Sequence, residues 1–68
     1  MSDTVYRVTE VIGSSSDSWE AAARNAVETA ARSIRDLRVA EVVRQDMTID
    51  NGKVALYRVD LKVTFVLD

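Results

Sequence analysis

Hydrophobic and polar side chains alternate with a period of two over residues 54–67. β-Branched and aromatic residues in this pattern predict a strand, Val54–Leu67, with one buried face. At about 3.4 Å per residue, such a strand would be roughly 45 Å long. Its apolar face would consist of Ala55, Tyr57, Val59, Leu61, Val63, Phe65 and Leu67.

A helix is predicted upstream of this strand, over residues 18–36. Apolar residues recur there at steps of three and four, which gives one buried stripe: Trp19, Ala22, Ala23, Ala26, Val27, Ala30, Ile34 and Leu37. We expect the N-cap to be one of Ser15, Ser16 or Asp17. Such a helix would be about 28 Å long. Because it is shorter than the last strand, partner subunits would have to cover the rest of that strand.

Two further strands complete the pattern. Alternation predicts Val5–Ile12, which Gly13 would end, and a less regular strand, Val39–Ile49. Asn51-Gly52 follows as a strong signal for a two-residue hairpin turn, because both turn positions need positive φ. The predicted fold class is therefore α+β, in the order β-α-β-β with an antiparallel hairpin at the end.

The hairpin turn also predicts which residues face each other. It sets Asp50 opposite Lys53 and, further along, creates an opposite-charge pair between Glu41 and Lys62. On the apolar face the predicted pairs are Val42 with Leu61 and Ala40 with Val63. The same register places Arg44 and Asp46 on the apolar face beside Tyr57 and Val59, at the end that extends past the helix.

Composition narrows the class of protein. A chain of 68 residues makes one small domain, 1–68, that is marginal alone and favours oligomerisation. It has no Cys and no His, so it lacks disulfides, thiolate zinc sites and the commonest general base, and we expect no enzymatic activity. The net charge of −2, with both signs interspersed, argues against a nucleic-acid partner. No membrane span or signal peptide is recognisable, so we expect a cytoplasmic homo-oligomer.

Several short motifs, in their order and spacing, resemble those of the dodecins over essentially the whole chain. They are Gly13-Ser14-Ser15, Trp19-Glu20-Ala21-Ala22, Val39-Ala40-Glu41-Val42-Val43 and Val63-Thr64-Phe65. The resemblance implies a hollow homo-dodecamer of cubic symmetry, in which a three-stranded antiparallel sheet partly wraps one helix. It also implies binding and storage of a small ligand, since many members store flavins (FMN or riboflavin) against a tryptophan of the second strand.

The chain departs from that flavin-binding pattern. Val39 stands where those members have the stacking tryptophan, Arg58 where the last strand usually offers a glutamine, and Arg44 where an acidic or other polar group often lies. Losing an aromatic platform forfeits roughly 0.5–1.5 kcal/mol of stacking. The chain resembles a calcium-binding subgroup of the family more closely, in Asp36-Leu37-Arg38-Val39-Ala40, Gln45-Asp46-Met47 and Tyr57-Arg58.

For a calcium ion, the candidate ligands are Asp46 and Asp50. Calcium takes six to eight oxygens, and four residues along a strand separate these carboxylates by roughly 13 Å. A shared site would therefore need a bend in the strand, or carboxylates contributed by several subunits around a symmetry axis. The alternative interpretation is that Asp50 ends the strand and Asp46 pairs with Arg44 or with a neighbour's arginine. Asp60 is expected to form a solvated ion pair between Arg58 and Lys62.

A flavin is the alternative ligand. A pocket without tryptophan would be lined by Val39, Arg44, Gln45 and Arg58, and Arg58 could pair with a phosphate or a ring carbonyl. A third hypothesis is a purely structural shell whose ligand is incidental. The sequence thus leaves three functions open: a calcium-binding shell, a flavin store and a structural cage.

Overall fold

The computed structural model describes residues 3–67. The elements, in chain order, are β1 (Val5–Ser15), α1 (Trp19–Ala30), β2 (Leu37–Asp50) and β3 (Lys53–Leu67). The strands form an antiparallel sheet in the order β1-β3-β2, and α1 packs mainly against β1 and β3. The predicted α+β class and the β-α-β-β order are confirmed.

The centre strand β3 supplies the core of the subunit. Val59, Leu61 and Val63 alternate with polar residues, and each is only 1% exposed. α1 meets them with Ala22 and Ala26, whose small side chains allow the helix to lie close to the sheet. We call the sheet surface that these three β3 residues form the helix face. The opposite surface of the sheet is the open face.

β1 passes directly beneath α1 at Gly13. A Cβ atom at this position would overlap the carbonyl oxygen of Ala22 and lie 2.7 Å from the Cβ of Ala26, so the close approach requires glycine. The prediction that Gly13 ends the first strand is wrong, because β1 continues to Ser15 and Gly13 pairs with Val59. This glycine marks a contact between two backbones instead of the end of a strand.

α1 is shorter than the periodicity predicted. Residues 31–36, which we expected to be helical, form a turn, and Asp36 at φ 60° redirects the chain into β2. The apolar spacing continues through this turn because Leu37 packs against the same core from the sheet instead of from the helix. The expected caps at residues 15–17 are also wrong. Ser18 is the N-cap, and its hydroxyl accepts a hydrogen bond of 3.0 Å from the amide three residues later.

The hairpin has the predicted turn and the predicted outer register. Asn51 and Gly52 both have positive φ, and the pairs Asp50–Lys53, Glu41–Lys62, Val42–Leu61 and Ala40–Val63 are confirmed. Between these pairs the ladder is irregular, because Ala55 is an extra residue on β3 and Val43 an extra residue on β2. Because one extra residue lies on each strand, the two bulges offset each other, and the predicted register returns on the far side of Val43. The stretch between them is shifted by one position, and a third irregularity, at Arg38, shifts the start of β2 so that Leu37 pairs with Phe65.

α1 covers only part of the sheet. The helix has 12 residues and β3 has 15, and the described chain extends 55 Å along its longest axis. Large apolar side chains stay exposed on the strands, several of them on the open face, among them Tyr6, Val8, Ile12, Val39, Ile49 and Val54. The expectation that the helix cannot cover the last strand is confirmed. No helix in residues 3–67 has both the length and the hydropathy needed to cross a membrane.

Candidate functional site

The two bulges gather four charged side chains on the open face. Arg44 pairs with Asp60 across the ladder, and Asp46 pairs with Arg58. Because successive strand residues point to opposite faces, these four side chains point away from the helix-facing core residue Val59. The prediction that Arg44 and Asp46 lie on the apolar face is therefore wrong, since it assumed a ladder without bulges. We call Arg44, Asp46, Arg58 and Asp60 the ionic cluster.

Within the ionic cluster, Asp46 is fully engaged by Arg58. The Arg58 Nε donates to Asp46 Oδ1 at 2.7 Å, and Nη2 donates to Oδ2 at 2.8 Å, which is a two-pronged contact. The hydrogen bonds from Arg58 hold the pKa of Asp46 below its ordinary value. The same bonds raise the pKa of Arg58. The sequence-based interpretation named Arg44 or a neighbour's arginine as the partner of Asp46. The hydrogen bonds come instead from Arg58 of the same chain, and Arg44 lies 3.9 Å away.

Asp60 has a very different environment, although it is only two residues from Arg58. It is 7% exposed, and its Oδ1 has no hydrogen-bond partner among the described residues. Its Oδ2 lies 3.7 Å from Nη2 of Arg44, which is an ion-pair contact beyond hydrogen-bond length. The prediction of a solvated ion pair between Arg58 and Lys62 is wrong. Asp60 is buried, and the cation within ion-pair distance of it is Arg44.

A fifth charged residue joins the ionic cluster from β1. Glu10 is exposed and lies diagonally across the β1–β3 ladder from Asp60, on the same face of the sheet. The hydrogen bond that a protonated Glu10 makes to Asp60 raises the pKa of Glu10, and repulsion between the two negative charges adds to this effect. Sequence reasoning missed this contact. Glu10 and Asp60 belong to strands that are distant in sequence, and only the pairing of β1 with β3 brings them together.

Trp19 of α1 contacts the helix face of the sheet, on the side opposite the ionic cluster. Its indole N–H donates to the backbone carbonyl oxygen of Asp46 at 3.0 Å, and its ring meets Tyr57 edge to face, with centroids 5.1 Å apart. Trp19 also lines a cavity of about 220 Å³ together with Gln45 and Val59. Trp19 therefore has a structural role in docking the helix onto the sheet.

The structure brings together only some of the residues that the sequence proposed as sites. Arg44 and Arg58, predicted for a ligand pocket, both lie in the ionic cluster. Gln45 lines the Trp19 cavity on the helix face instead, and Val39 lines a separate cavity of about 110 Å³. Asp50, proposed as a metal ligand with Asp46, is exposed and ends β2 beside the turn.

The four residues of the ionic cluster are carboxylates and guanidinium groups, and none of them is a serine, threonine or cysteine nucleophile that a carboxylate could activate. Residues 3–67 bring no three His, Cys, Asp or Glu side chains close enough to enclose a metal ion. A single subunit can therefore offer a cation at most part of a coordination shell, because calcium takes six to eight oxygens. Electrostatic recognition of an ion or a charged ligand is the chemistry that this arrangement supports.

The fold and the site define a class: a small β-α-β-β unit with one helix on its sheet and a charged, partly apolar open face. The dodecin family model matches residues 5–68. The calcium dodecin of Mycobacterium tuberculosis is 47% identical over 62 residues, which are 91% of this chain and 87% of that protein. The chain belongs to the dodecin family.

Solved structures agree with this assignment. The dodecin from Streptomyces coelicolor is 44% identical and superposes with a TM-score of 0.94, covering 100% of this chain and 97% of that chain. The dodecin from Streptomyces davaonensis is 34% identical, also with a TM-score of 0.94, covering 98% of each chain. The crystal structure of the calcium-chelating antigen calcium dodecin from Mycobacterium tuberculosis is 48% identical, with a TM-score of 0.84, covering 94% of this chain and 91% of that chain.

Proposed function

We propose that this protein is a non-catalytic, hollow homo-dodecameric shell that binds and stores calcium at contacts between its subunits. The observation that carries the choice of ion is the 47% identity, over 91% of the chain, to the calcium dodecin of Mycobacterium tuberculosis. The structure of that protein is described as calcium-chelating, with a novel calcium-binding site. The absence of His and Cys from the sequence supports a binding protein over an enzyme.

The exposed apolar side chains support the assembly. Val8 and Ile12 of β1 are 54% and 57% exposed, and Ile49 near the hairpin turn is 71% exposed. A chain of this size buries only about 60% of its unfolded surface and is marginal alone. Covering these side chains with other copies of the chain would supply apolar burial that one subunit lacks.

Asp46 and Asp50 remain the proposed calcium ligands from the sequence. Asp50 is exposed at the end of β2, where carboxylates of neighbouring hairpins could meet. Asp46 would coordinate an ion only after Arg58 released it, because both carboxylate oxygens accept hydrogen bonds from that side chain. A site at these two residues therefore requires rearrangement and more than one subunit.

A flavin store is the second candidate function, and the Trp19 cavity favours it. That cavity combines an aromatic ring with the side-chain amide of Gln45. Its volume of about 220 Å³ is below the range of roughly 300–1,000 Å³ that is typical of small-molecule pockets. A flavin would therefore need a neighbouring subunit to complete its site.

Native mass spectrometry tests the assembly and the ligand together. Chelator-treated protein would be measured alone, with calcium, with magnesium as the matched control, and with FMN. We expect a particle of about twelve times the 7.6 kDa subunit mass that gains calcium in preference to magnesium and gains no FMN. A monomer would contradict the assembly. A dodecamer that gains FMN and no calcium would replace the first function with the second.

A further inference from the structure

We propose that Glu10 and Asp60 form a calcium-binding carboxylate pair on the open face, separate from Asp46 and Asp50. This inference rests on the proposed calcium-binding function and assigns ligands to it. Both carboxyl groups come from one chain, Glu10 from β1 and Asp60 from β3. The pair therefore exists within a subunit before any assembly takes place.

The register of the sheet places the two carboxyl groups together. In the β1–β3 ladder Glu10 pairs with Lys62, and Ile12 pairs with Asp60. Glu10 and Asp60 are thus diagonal neighbours on the same face, a separation that long side chains bridge. Glu10 is exposed and Asp60 is buried beside it on β3, so the Glu10 side chain can reach over the buried carboxyl group.

Asp60 offers an unused oxygen at this position. Asp60 is 93% buried, and its Oδ1 accepts no hydrogen bond from the residues that the structure describes. A buried acceptor without a partner destabilises the protein, so a cation that bonds this oxygen removes that penalty. Asp46 provides the contrast, since both of its oxygens are already bonded to Arg58.

The surrounding cations leave the charge of the pair incompletely balanced. Arg44 lies between two acids, 3.7 Å from Asp60 and 3.9 Å from Asp46, and hydrogen-bonds neither. Its side chain is 62% exposed, so it can move toward Asp46 when a cation reaches Asp60. Lys62 is shared in the ladder between Glu10 on one side and Glu41 on the other.

The donor set fits a hard divalent cation. Two carboxylates supply up to four oxygens, whereas calcium takes six to eight, so water or oxygens of a neighbouring subunit would complete the shell. An ion held by Glu10 and Asp60 would neutralise their repulsion and bond the unused Oδ1. Because a shell completed by water accepts several geometries, calcium suits this pair better than magnesium, which demands near-ideal octahedral coordination.

Calcium titration by isothermal calorimetry tests the inference on chelator-treated, assembled protein, with calcium chloride as the probe. Glu10→Gln and Asp60→Asn keep the side-chain shapes and remove one charge each, and we expect each to weaken calcium affinity at least about tenfold. Glu28→Gln is the matched control, because it also removes one exposed glutamate charge, but from α1, which packs on the other face of the sheet. We expect the control to bind as the wild type does.

The outcomes separate the inference from the proposed function. If the wild type takes up no calcium, both fail. If the wild type binds calcium and Glu10→Gln and Asp60→Asn bind equally well, the inference alone is wrong. Loss of binding in Asp46→Asn and Asp50→Asn, with the other variants unaffected, would move the ion to those residues and also overturn the inference. If Asp60→Asn fails to fold, the calcium affinity of Glu10→Gln alone tests the inference, because Glu10 is exposed and its substitution should not disturb folding.

Discussion

The two faces of the sheet differ in how much of their structure one chain completes. On the helix face, Val59, Leu61 and Val63 are sealed beneath α1 and need nothing from outside the subunit. On the open face, the intervening residue Asp60 is also buried, yet its Oδ1 has no hydrogen-bond partner among residues 3–67. Neighbouring residues of one strand thus differ. Those on the helix face are fully packed within the subunit, whereas Asp60 on the open face has an unsatisfied hydrogen-bond acceptor.

The difference shows which interactions a subunit can complete alone. Apolar burial is not directional, so small alanines and β-branched residues complete the helix face whenever the spacing is right. Charged groups need partners at specific distances, and the open face meets that need at Asp46 but not at Asp60. We infer that the open face is where assembly and ligand binding act.

The largest effect is expected from breaking the helix face at Gly13. A Cβ atom there meets the backbone of α1, which cannot move aside without undocking the helix. We therefore expect Gly13→Ala to cost about 3 kcal/mol or more, at the upper end of overpacking effects. Urea unfolding followed by circular dichroism measures the loss. Ser14→Ala, exposed on the adjacent position, is the control and should stay within about 0.5 kcal/mol of the wild type. A stable Gly13→Ala protein would contradict the close approach.

A second comparison concerns two adjacent residues of β3, one on each face of the sheet. Leu61→Ala leaves a cavity in the core, and we expect a loss of roughly 2–5 kcal/mol. Asp60→Asn, in calcium-free buffer, should change unfolding much less, because Oδ1 of Asp60 accepts no hydrogen bond from the described residues and its ion pair with Arg44 is long. Parallel urea titrations compare the two variants. Equal losses would show that the open face is as complete as the helix face.

The sequence predicted the helix face better than the open face, for a physical reason. Alternation and helical spacing report apolar burial, so Val59, Leu61 and Val63 were identified as buried. The Asn51-Gly52 turn predicted the outer register because its geometry is local. The bulges at Val43 and Ala55 have no comparable local signal, and they alone decide that Arg44 and Asp46 lie on the open face.

The contact between Glu10 and Asp60 was beyond sequence reasoning for a related reason. It depends on the alignment of β1 with β3, and no turn connects these strands directly. The end of α1 was missed because Leu37 continues the helical spacing while belonging to a strand. Periodicity identifies residues that share a core, and it does not tell which element carries them.

The smallest expected effects lie in the ionic cluster, where pH should act on two acids with opposite sign. The pKa of Asp46 is lowered by folding, so its pair with Arg58 stabilises the protein above about pH 3.8 and loses this contribution as pH falls through the folded pKa. The pKa of Glu10 is raised by folding, so its contribution is present below about pH 4.5 and is lost as pH rises through the folded value.

Melting temperatures measured in chelator from pH 3 to pH 7 test these signs. At pH 7 we expect Asp46→Asn to melt below the wild type and Glu10→Gln to melt above it, with both differences shrinking as pH falls. Arg58→Gln provides the control, because Asp46→Asn should have little further effect once its partner is gone. If Glu10→Gln melts below the wild type at pH 7 without calcium, Glu10 has a stabilising partner. The contrast between Asp46, whose charge is paired with Arg58, and the two neighbouring carboxylates Glu10 and Asp60, whose charges are not fully balanced, would then be wrong.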